Sequence, residues 1–519
     1  MNIAHFVALP GEIFGEQEIM VFGDRRRTYG RLLDRVRRLA GALLARGVTP
    51  HGCVAALGTN SDLYVEALYA TATAGATFTP LNYRAKRHEL AHMLRQSAPA
   101  VLFVESRYRA LLEDALADAA IAPVLVALDA GGPGLADAES WIAAAEPAEI
   151  ADVDEEDVAV LMYTSGTTSL PKGVLLRHGD FSTYVMGTVE MADGEPRGAA
   201  LVSVPLYHIA GLTSLLTTLW TGRRLVLLPQ FDAPHWLATV AAEQITHAFV
   251  VPTMVRRLLD APEFEPAALL SLESLAYGGA PMPFPVIRRA LDAFPPSCGF
   301  VNAFGQTETT STLTVLGPED HRLTGDAAHD EAVLRRLRSI GRPLPDVELG
   351  IVDDTGAPVP VGTVGELVVR TARAMKGYAG DVEGGARREP DGFLHTRDLG
   401  WIDDEGYVFL AGRKDDMIIR GGENIAPAEV ESVLAAHPAV EEVAVVGVPS
   451  EEWGETVAAA IVLRAGASAT SAEIMEYARS RVASFKKPER VGFFVELPRN
   501  ALGKLLRNEL RQRLAEGQP

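Results

Sequence analysis

Short apolar runs alternate with helix-patterned stretches through most of the first 310 residues, and this alternation narrows the fold more than any other feature. CVAALG, starting at Cys53, is followed by the helix-like SDLYVEALYATATAG, then by TFTPL, AKRHELAHMLRQS and AVLFVE. Strand, helix, strand, helix calls for a parallel sheet with crossover helices, because parallel neighbours cannot be joined by a tight turn. A second series starts at Val158 and continues through LVSV, RRLVLLP, THAFVV, SLAYGG and GFVNAFG. The helical stretches PHWLATVAAEQ and PFPVIRRALDAF separate these runs, so two α/β layers are expected. From 341 to 411 the texture changes to alternating strands. There Asp354-Thr355-Gly356 sits between two strand-like runs, the mark of a small β-rich subdomain. Beyond Lys414 to Asp416 lies another compact pattern, with EVESVLAAH and SAEIMEYARSRVA as helices and VEEVAVVGV and VAAAIVL as strands.

Composition removes several classes. The chain has 519 residues, enough for several folding units at about 150 residues each. Its two cysteines, Cys53 and Cys298, exclude a disulfide framework and a cysteine-rich zinc site. Forty-eight Lys and Arg against 68 Asp and Glu give a net charge of −20, which argues against a nucleic-acid binder. The N-terminus lacks the basic start and apolar run of a signal peptide. Gly198 to Gly222 is long enough to span a bilayer, but Pro205, His208 and Gly211 interrupt it. It is expected to form a strand, a loop and a core helix. No integral membrane segment and a cytoplasmic location are therefore expected.

Five segments carry chemistry. Tyr163-Thr-Ser-Gly-Thr-Thr-Ser-Leu-Pro-Lys172-Gly173 follows one apolar run and precedes another. Its hydroxyls, backbone N–H groups and lysine suit phosphate oxygens, although an ordinary surface loop has the same composition. It is not a P-loop, since no Ser or Thr follows Lys172-Gly173 to hold magnesium. Phe304-Gly305-Gln306-Thr307-Glu308 ends a strand, where doubly wound sheets bind ligands. Glu308 can hold a hard cation and Thr307 can donate to phosphate, yet the tripeptide alone also reads as a cap. Asp398, in Thr396-Arg-Asp-Leu-Gly-Trp401, can accept both hydroxyls of a ribose or serve as a turn residue. The fourth segment is Gly412-Arg-Lys-Asp-Asp416 with Met417-Ile-Ile-Arg420-Gly-Gly-Glu-Asn424-Ile, and the fifth is Pro498-Arg-Asn-Ala-Leu-Gly503-Lys504. Residues 479 to 513 carry ten Lys or Arg against three Glu, which suits an anion-handling surface or a solvated helix face.

Taken in this order, the five segments resemble the adenylate-forming superfamily of acyl-CoA synthetases, firefly-type luciferases and peptide-synthetase adenylation domains. The resemblance runs from about Thr28 to Arg511. Gly-Gly-Glu-Asn-Ile and the PRNALGK ending are most similar to bacterial fatty-acyl-CoA and aryl-CoA ligases. It implies an N-terminal body over 1–413, made of two doubly wound α/β subdomains and a β-rich subdomain. A hinge over 414–416 and a small mobile α+β lid over 417–519 follow. It also implies ATP, Mg²⁺ and coenzyme A: a carboxylic acid attacks the α-phosphate of ATP, and the CoA thiol then displaces AMP.

Site residues follow from the same resemblance. Thr164, Ser165, Gly166, Thr167, Thr168 and Lys172 are assigned to the β- and γ-phosphates, Thr307 to the α-phosphate and Glu308 to Mg²⁺. Asp398 is assigned to the ribose, with Arg413 close to ribose and phosphate, and Lys504 is assigned as the catalytic lysine. Gly278, Gly279 and Ala280 (with Pro281), and Asn302, Ala303, Phe304 and Gly305, form the expected adenine wall. Asp415 matches the hinge, and Arg420, Gly421, Gly422, Glu423 and Asn424 are expected to meet the pantetheine arm, with Trp453 and Phe485 beside it. His208 matches an acyl-pocket position that gates the thiol path in relatives; a hydrogen-bonded core histidine is the other reading.

One departure concerns Ser169, where relatives usually carry glycine. A serine forced to positive φ costs roughly 1 kcal/mol. The PRNALGK tail also resembles the sequence recognised by bacterial lysine acetyltransferases, which makes Lys504 a modification candidate. A ligase that loads a carrier protein, a luciferase-like oxygenase and a degenerate nucleotide-binding scaffold are the alternatives. The expected pocket, Tyr207 to Leu212, Val250 to Met254 and Gly278 to Ala280, is mostly apolar and favours fatty, alicyclic or aryl acids. The resemblance also leaves room for a homodimer.

Overall fold

The structure, a computed structural model, describes residues 1–164, 170–380, 391–499 and 505–517, the side chain of Asn424 aside. Ser165, Gly166, Thr167, Thr168, Ser169 and Lys504 lie outside the described residues. The chain divides into two compact units. The first comprises Met1–Leu337, Pro343–Glu348 and Arg370–Arg388; the second comprises Arg338–Arg342, Leu349–Val369 and Glu389–Pro519.

Two sheets build the first unit. In one, Cys53–Leu57 is central, with Thr77–Leu81 and Val158–Thr164 to one side and Val101–Val104 and Val124–Ala127 to the other, all parallel. Lys172–Arg177 and then Gly377–Tyr378 extend it antiparallel. Residues 54–57 and 101–104 are all buried, which is why these strands read as unbroken apolar runs. In the other sheet, Glu18–Phe22, Arg224–Leu227, Ala199–Val202, His247–Val250, Ser274–Gly278 and Gly299–Gln306 lie side by side and parallel. Arg25–Thr28 closes one edge and Ser311–Leu316 adds antiparallel beyond Gly299–Gln306. The stretch from Gly198 to Gly222 forms the strand Ala199–Val202 and the helix Ile209–Trp220, as expected. No described helix is long and apolar enough to cross a membrane.

The helix Asp62–Thr73 is buried along its whole length. Ser61 caps it by accepting from the Tyr64 N–H at 3.1 Å. It touches Glu18–Phe22 of one sheet and Thr77–Leu81 and Cys53–Leu57 of the other, so it forms a layer shared by both. Burying Asp62 and Glu66 on such a helix requires partners. Arg25 grips Asp62 through two N–H groups at 2.6 and 2.7 Å, while Arg27 and Arg35 meet Glu66 at 2.9 and 2.7 Å.

The second unit holds an antiparallel sheet of Glu348–Val352, Gly365–Arg370, Leu394–Ile402 and Val408–Arg413 in that order. Its Asp-Thr-Gly turn is local: Asp353 accepts from the N–H groups of Thr355 and Ala357, and Gly356 has φ +84°. The remaining sheet is organised around the long hairpin Val440–Ser450 and Gly454–Leu463, with Arg490–Phe493 parallel to the second strand. Alternate residues of this hairpin serve two cores. Val445, Val457, Ala459 and Ile461 pack with helices Pro427–Ala435 and Ser471–Arg479, while Ala444, Val446, Val448 and Ala458 pack with Arg507–Ala515. A period of two that is apolar on both faces explains the continuous run VEEVAVVGV.

Candidate active site

In the first unit, three separate stretches of sequence meet at the ends of strands. Thr164 and Lys172 are register partners in adjacent antiparallel strands, so they stand opposite each other on either side of the segment expected to bind phosphate. Ser274–Gly278 and Gly299–Gln306 run parallel with Gly278 beside Ala303, which brings the two expected adenine-wall segments together. Glycine is required at this junction. A Cβ on Gly278 would lie 2.2 Å from the Ala303 carbonyl, and one on Gly305 would lie 1.7 Å from that of Ser311.

Thr307 and Glu308 follow in a short 3₁₀ turn, Thr307–Thr309. Thr310 and Ser311 then take φ +49° and +81°, unusual for residues with side chains. Arg373, 1% exposed, holds this turn. Its guanidinium donates to the carbonyls of Thr309 at 2.8 Å and Thr312 at 2.7 Å and pairs with Asp346 at 2.6 Å. Two residues on, the Met375 N–H donates to the Glu308 carbonyl at 2.8 Å. The Tyr378 hydroxyl donates to Glu308 Oε1 at 2.9 Å, and Lys172 Nζ lies 5.4 Å from the centroid of the Tyr378 ring. Sequence reasoning missed Arg373 and Tyr378. Nothing in their local pattern separates them from other residues of a turn-rich stretch.

His208 precedes the helix Ile209–Trp220, with its ring 4.3 Å from that of Tyr207, which in turn stands edge-on to Tyr83. Its Nε2 is buried without a hydrogen-bond partner among the described residues. Burial, reinforced by nearby Arg84, pushes its pKa down to about 3, so the imidazole is neutral at ordinary pH. Burial pushes both cysteine thiols up to about 12, which leaves Cys53 and Cys298 poor nucleophiles.

In the second unit, Asp398 and Arg413 are register partners, and the Arg413 Nε donates to Asp398 Oδ1 at 2.8 Å. Asp415 lies in the 3₁₀ turn Lys414–Asp416 and accepts from Arg397 Nε at 2.8 and 2.9 Å. Lys414 reaches Glu366 at 3.1 Å and Asp354 at 3.0 Å. Gly421 and Gly422, at φ +58° and +89°, form the tight turn between Ile418–Arg420 and Glu423–Ile425. Arg420 is buried against this hairpin. It donates to the Phe485 carbonyl at 2.8 Å, pairs with Glu489, and lies 5.5 Å from the Trp453 ring. Arg420, Trp453 and Phe485, all expected near a pantetheine arm, therefore form one cluster.

Known proteins agree with this architecture along the whole chain. Residues 11–379 match the AMP-binding enzyme family, and residues 429–504 match the AMP-binding enzyme C-terminal domain. A feruloyl-CoA synthase of an Amycolatopsis species is 38% identical over 492 residues, covering 95% of this chain and 94% of its own. An indoleacetate–CoA ligase of Aromatoleum aromaticum is 36% identical over 497 residues, with coverage of 95% and 94%. The structure of o-succinylbenzoate–CoA synthetase from Bacillus subtilis, in complex with its acyl-adenylate intermediate, superposes with a TM-score of 0.82 at 29% identity over 98% of each chain. The chain belongs to the AMP-binding enzyme family, within the acyl-CoA synthetases of the adenylate-forming superfamily. It is an AMP-forming acid–CoA ligase, with ATP and coenzyme A as substrates.

Proposed function

We propose that the chain activates an aryl or fatty acid as its acyl-adenylate and passes the acyl group to coenzyme A, with one C-terminal lid presenting two faces in turn to one site. The chemical difficulty is to bring a carboxylate to a polyphosphate, two anions, which requires fixed cations and oriented donors around the α-phosphate. In this reading Lys504 lies between the attacking carboxylate and the α-phosphate, and Thr307 donates to that phosphate. Lys172 and Thr164, with Ser165, Gly166, Thr167 and Thr168, hold the outer phosphates. The adenine lies against Gly278–Ala280 and Asn302–Gly305, and Asp398 accepts the ribose hydroxyls beside Arg413. A carboxylate oxygen then attacks phosphorus, the bond to the bridging oxygen breaks, and pyrophosphate leaves. A rotation about Asp415 withdraws Lys504 and brings Arg420, Gly421, Gly422, Glu423 and Asn424 to the pantetheine arm. The thiol sulfur attacks the acyl carbon past neutral His208, the acyl C–O bond to phosphate breaks, AMP leaves, and the thiol proton is released to solvent.

The described residues hold no cluster of three or more His, Cys, Asp or Glu side chains that could cage a metal. Glu308 alone suits Mg²⁺, which binds through one or two carboxylates and otherwise keeps phosphates and water. When bound, Mg²⁺ supplies charge neutralisation between the phosphates. The observation that carries the reading is the meeting of Glu308 and Lys172, 136 positions apart by number, at the single residue Tyr378.

Aryl acids come first because two relatives are named for ferulate and indoleacetate, and because Tyr207, Val250, Val251 and Met254 of the expected pocket are buried and uncharged. Acetylation of Lys504 by a lysine acetyltransferase would remove the charge needed at the α-phosphate and switch off adenylation. Incubation with ATP, Mg²⁺ and a panel of aryl and fatty acids, with and without CoA, tests the proposal. AMP and an aryl thioester in equal amounts support it. Adenylate without CoA turnover would point to a carrier-protein acceptor, and no pyrophosphate with any acid would refute it.

A further inference from the structure

We propose that Tyr378 is a positioning residue that sets Lys172 and Glu308 in place without neutralising either; the proposal rests on the roles assigned above to those two residues. Its two ends do different work. The hydroxyl donates to Glu308 Oε1 at 2.9 Å, which fixes the carboxylate's orientation and keeps its charge. The ring lies 5.4 Å from Lys172 Nζ, close enough for a cation–π attraction that restrains the ammonium. A carboxylate partner would restrain that lysine as well, but it would cancel the charge a phosphate needs. Lys172 makes no ion pair among the described residues, with Glu308 or any other carboxylate. A neutral aromatic hydroxyl is the side chain that can hold a cation on its face and an anion at its tip.

The backbone around Tyr378 is fixed on both sides. Toward residues 306–312, Arg373 donates to the carbonyls of Thr309 and Thr312, the Thr310 hydroxyl donates to the Arg373 carbonyl at 2.8 Å, and Met375 N–H donates to the Glu308 carbonyl. Toward the lysine-bearing strand, Lys376 N–H donates to Leu175 O at 2.9 Å and Ala379 N–H to Gly173 O at 2.7 Å. Gln96 Nε2 donates to the Ala379 carbonyl at 2.6 Å. Residues 373–379 therefore form a strap bonded to both motif-bearing segments, and the Tyr378 side chain reaches both of them. Side chains that orient a metal-holding carboxylate in this way tune metal affinity by about 10- to 100-fold.

Tyr378→Phe and Tyr378→Leu separate the two contributions. The first removes only the hydroxyl, and the second removes the ring as well. The probe is Mn²⁺ binding, followed by electron paramagnetic resonance in the presence of a non-hydrolysable ATP analogue, alongside the KM for ATP at saturating Mg²⁺. We expect both variants to weaken Mn²⁺ binding about 10-fold. Only Tyr378→Leu should also raise the KM for ATP, by roughly three-fold, through the lost cation–π contact. Thermal melting of each variant establishes that it folds. Unchanged Mn²⁺ affinity in a folded Tyr378→Phe variant would overturn the proposal, as would equal losses of kcat in both variants with no change in metal binding. Glu308→Gln is measured in parallel: if it too leaves Mn²⁺ affinity unchanged, the assignment of Glu308 has failed, and the proposal with it.

Discussion

Asp398 and Arg413 are partners across two antiparallel strands, with the Arg413 Nε donating to Asp398 Oδ1 at 2.8 Å. Leu394–Ile402 and Val408–Arg413 thus place a carboxylate assigned to a ribose beside the cation assigned to the adjoining phosphate. Asp398 is 6% exposed, so its charge needs compensation, and Arg413 is one of the groups that supply it. The pairing makes the two residues one unit for mutagenesis.

Asp398→Asn keeps the shape and removes the charge. A charge-assisted hydrogen bond contributes about 1.5–3 kcal/mol, so the KM for ATP should rise on the order of 10- to 100-fold. Thioester formation from supplied acyl-adenylate should show the same loss of affinity, because AMP carries the same ribose. Steady-state kinetics of both half-reactions check this.

Glu66 provides a test of the fold alone. It is fully buried between Arg27 and Arg35, which also pair with Asp62 and Glu139 respectively, so its loss weakens a buried network without leaving either arginine alone. Glu66→Gln should destabilise the first unit by about 1.5–3 kcal/mol, read as a lower urea midpoint in tryptophan fluorescence. The kcat of the folded fraction should not change, since Glu66 takes no part in the site.

How much of this was legible in the sequence differs from element to element. Cys53–Leu57 and Val101–Val104 could be read as parallel strands because burial on both faces leaves an unbroken apolar run. Arg25–Thr28 could not. RRRT has no apolar pattern, and its place at a sheet edge is set by ion pairs to Asp62 and Glu66 more than thirty residues away. In the candidate site, Glu308 and Lys172 could be proposed from the sequence because each lies in a recognisable segment at a strand end. Tyr378 was not, since its significance comes from two contacts that exist only after the strap at 373–379 has been folded across both segments. Arg373 is similar: a buried arginine is an outlier that only burial reveals.

Buried histidines set the response to acid. His321 accepts from the Tyr277 hydroxyl at Nε2 and contacts the Gly317 carbonyl at Nδ1, an arrangement for the neutral ring. His178 Nδ1 accepts from the Ile3 N–H. Burial pushes both pKa values down to about 4. With folded values below the unfolded value near 6.5, the unfolded chain binds more protons as pH falls. The stabilisation is fully present above about pH 6.5 and is lost toward pH 4, by roughly 3 kcal/mol for each ring. Urea unfolding measured from pH 7.5 to 4.5 should show this decline, and His321→Gln should flatten it.

One site performs two reactions under two faces of a single lid, and Lys504→Ala separates the two. Pyrophosphate release from acid and ATP is measured beside thioester formation from supplied acyl-adenylate and CoA. The first should fall by at least about 100-fold while the second stays within a few-fold of the unmodified enzyme. Equal loss of both half-reactions, or adenylation that survives the substitution, would contradict it.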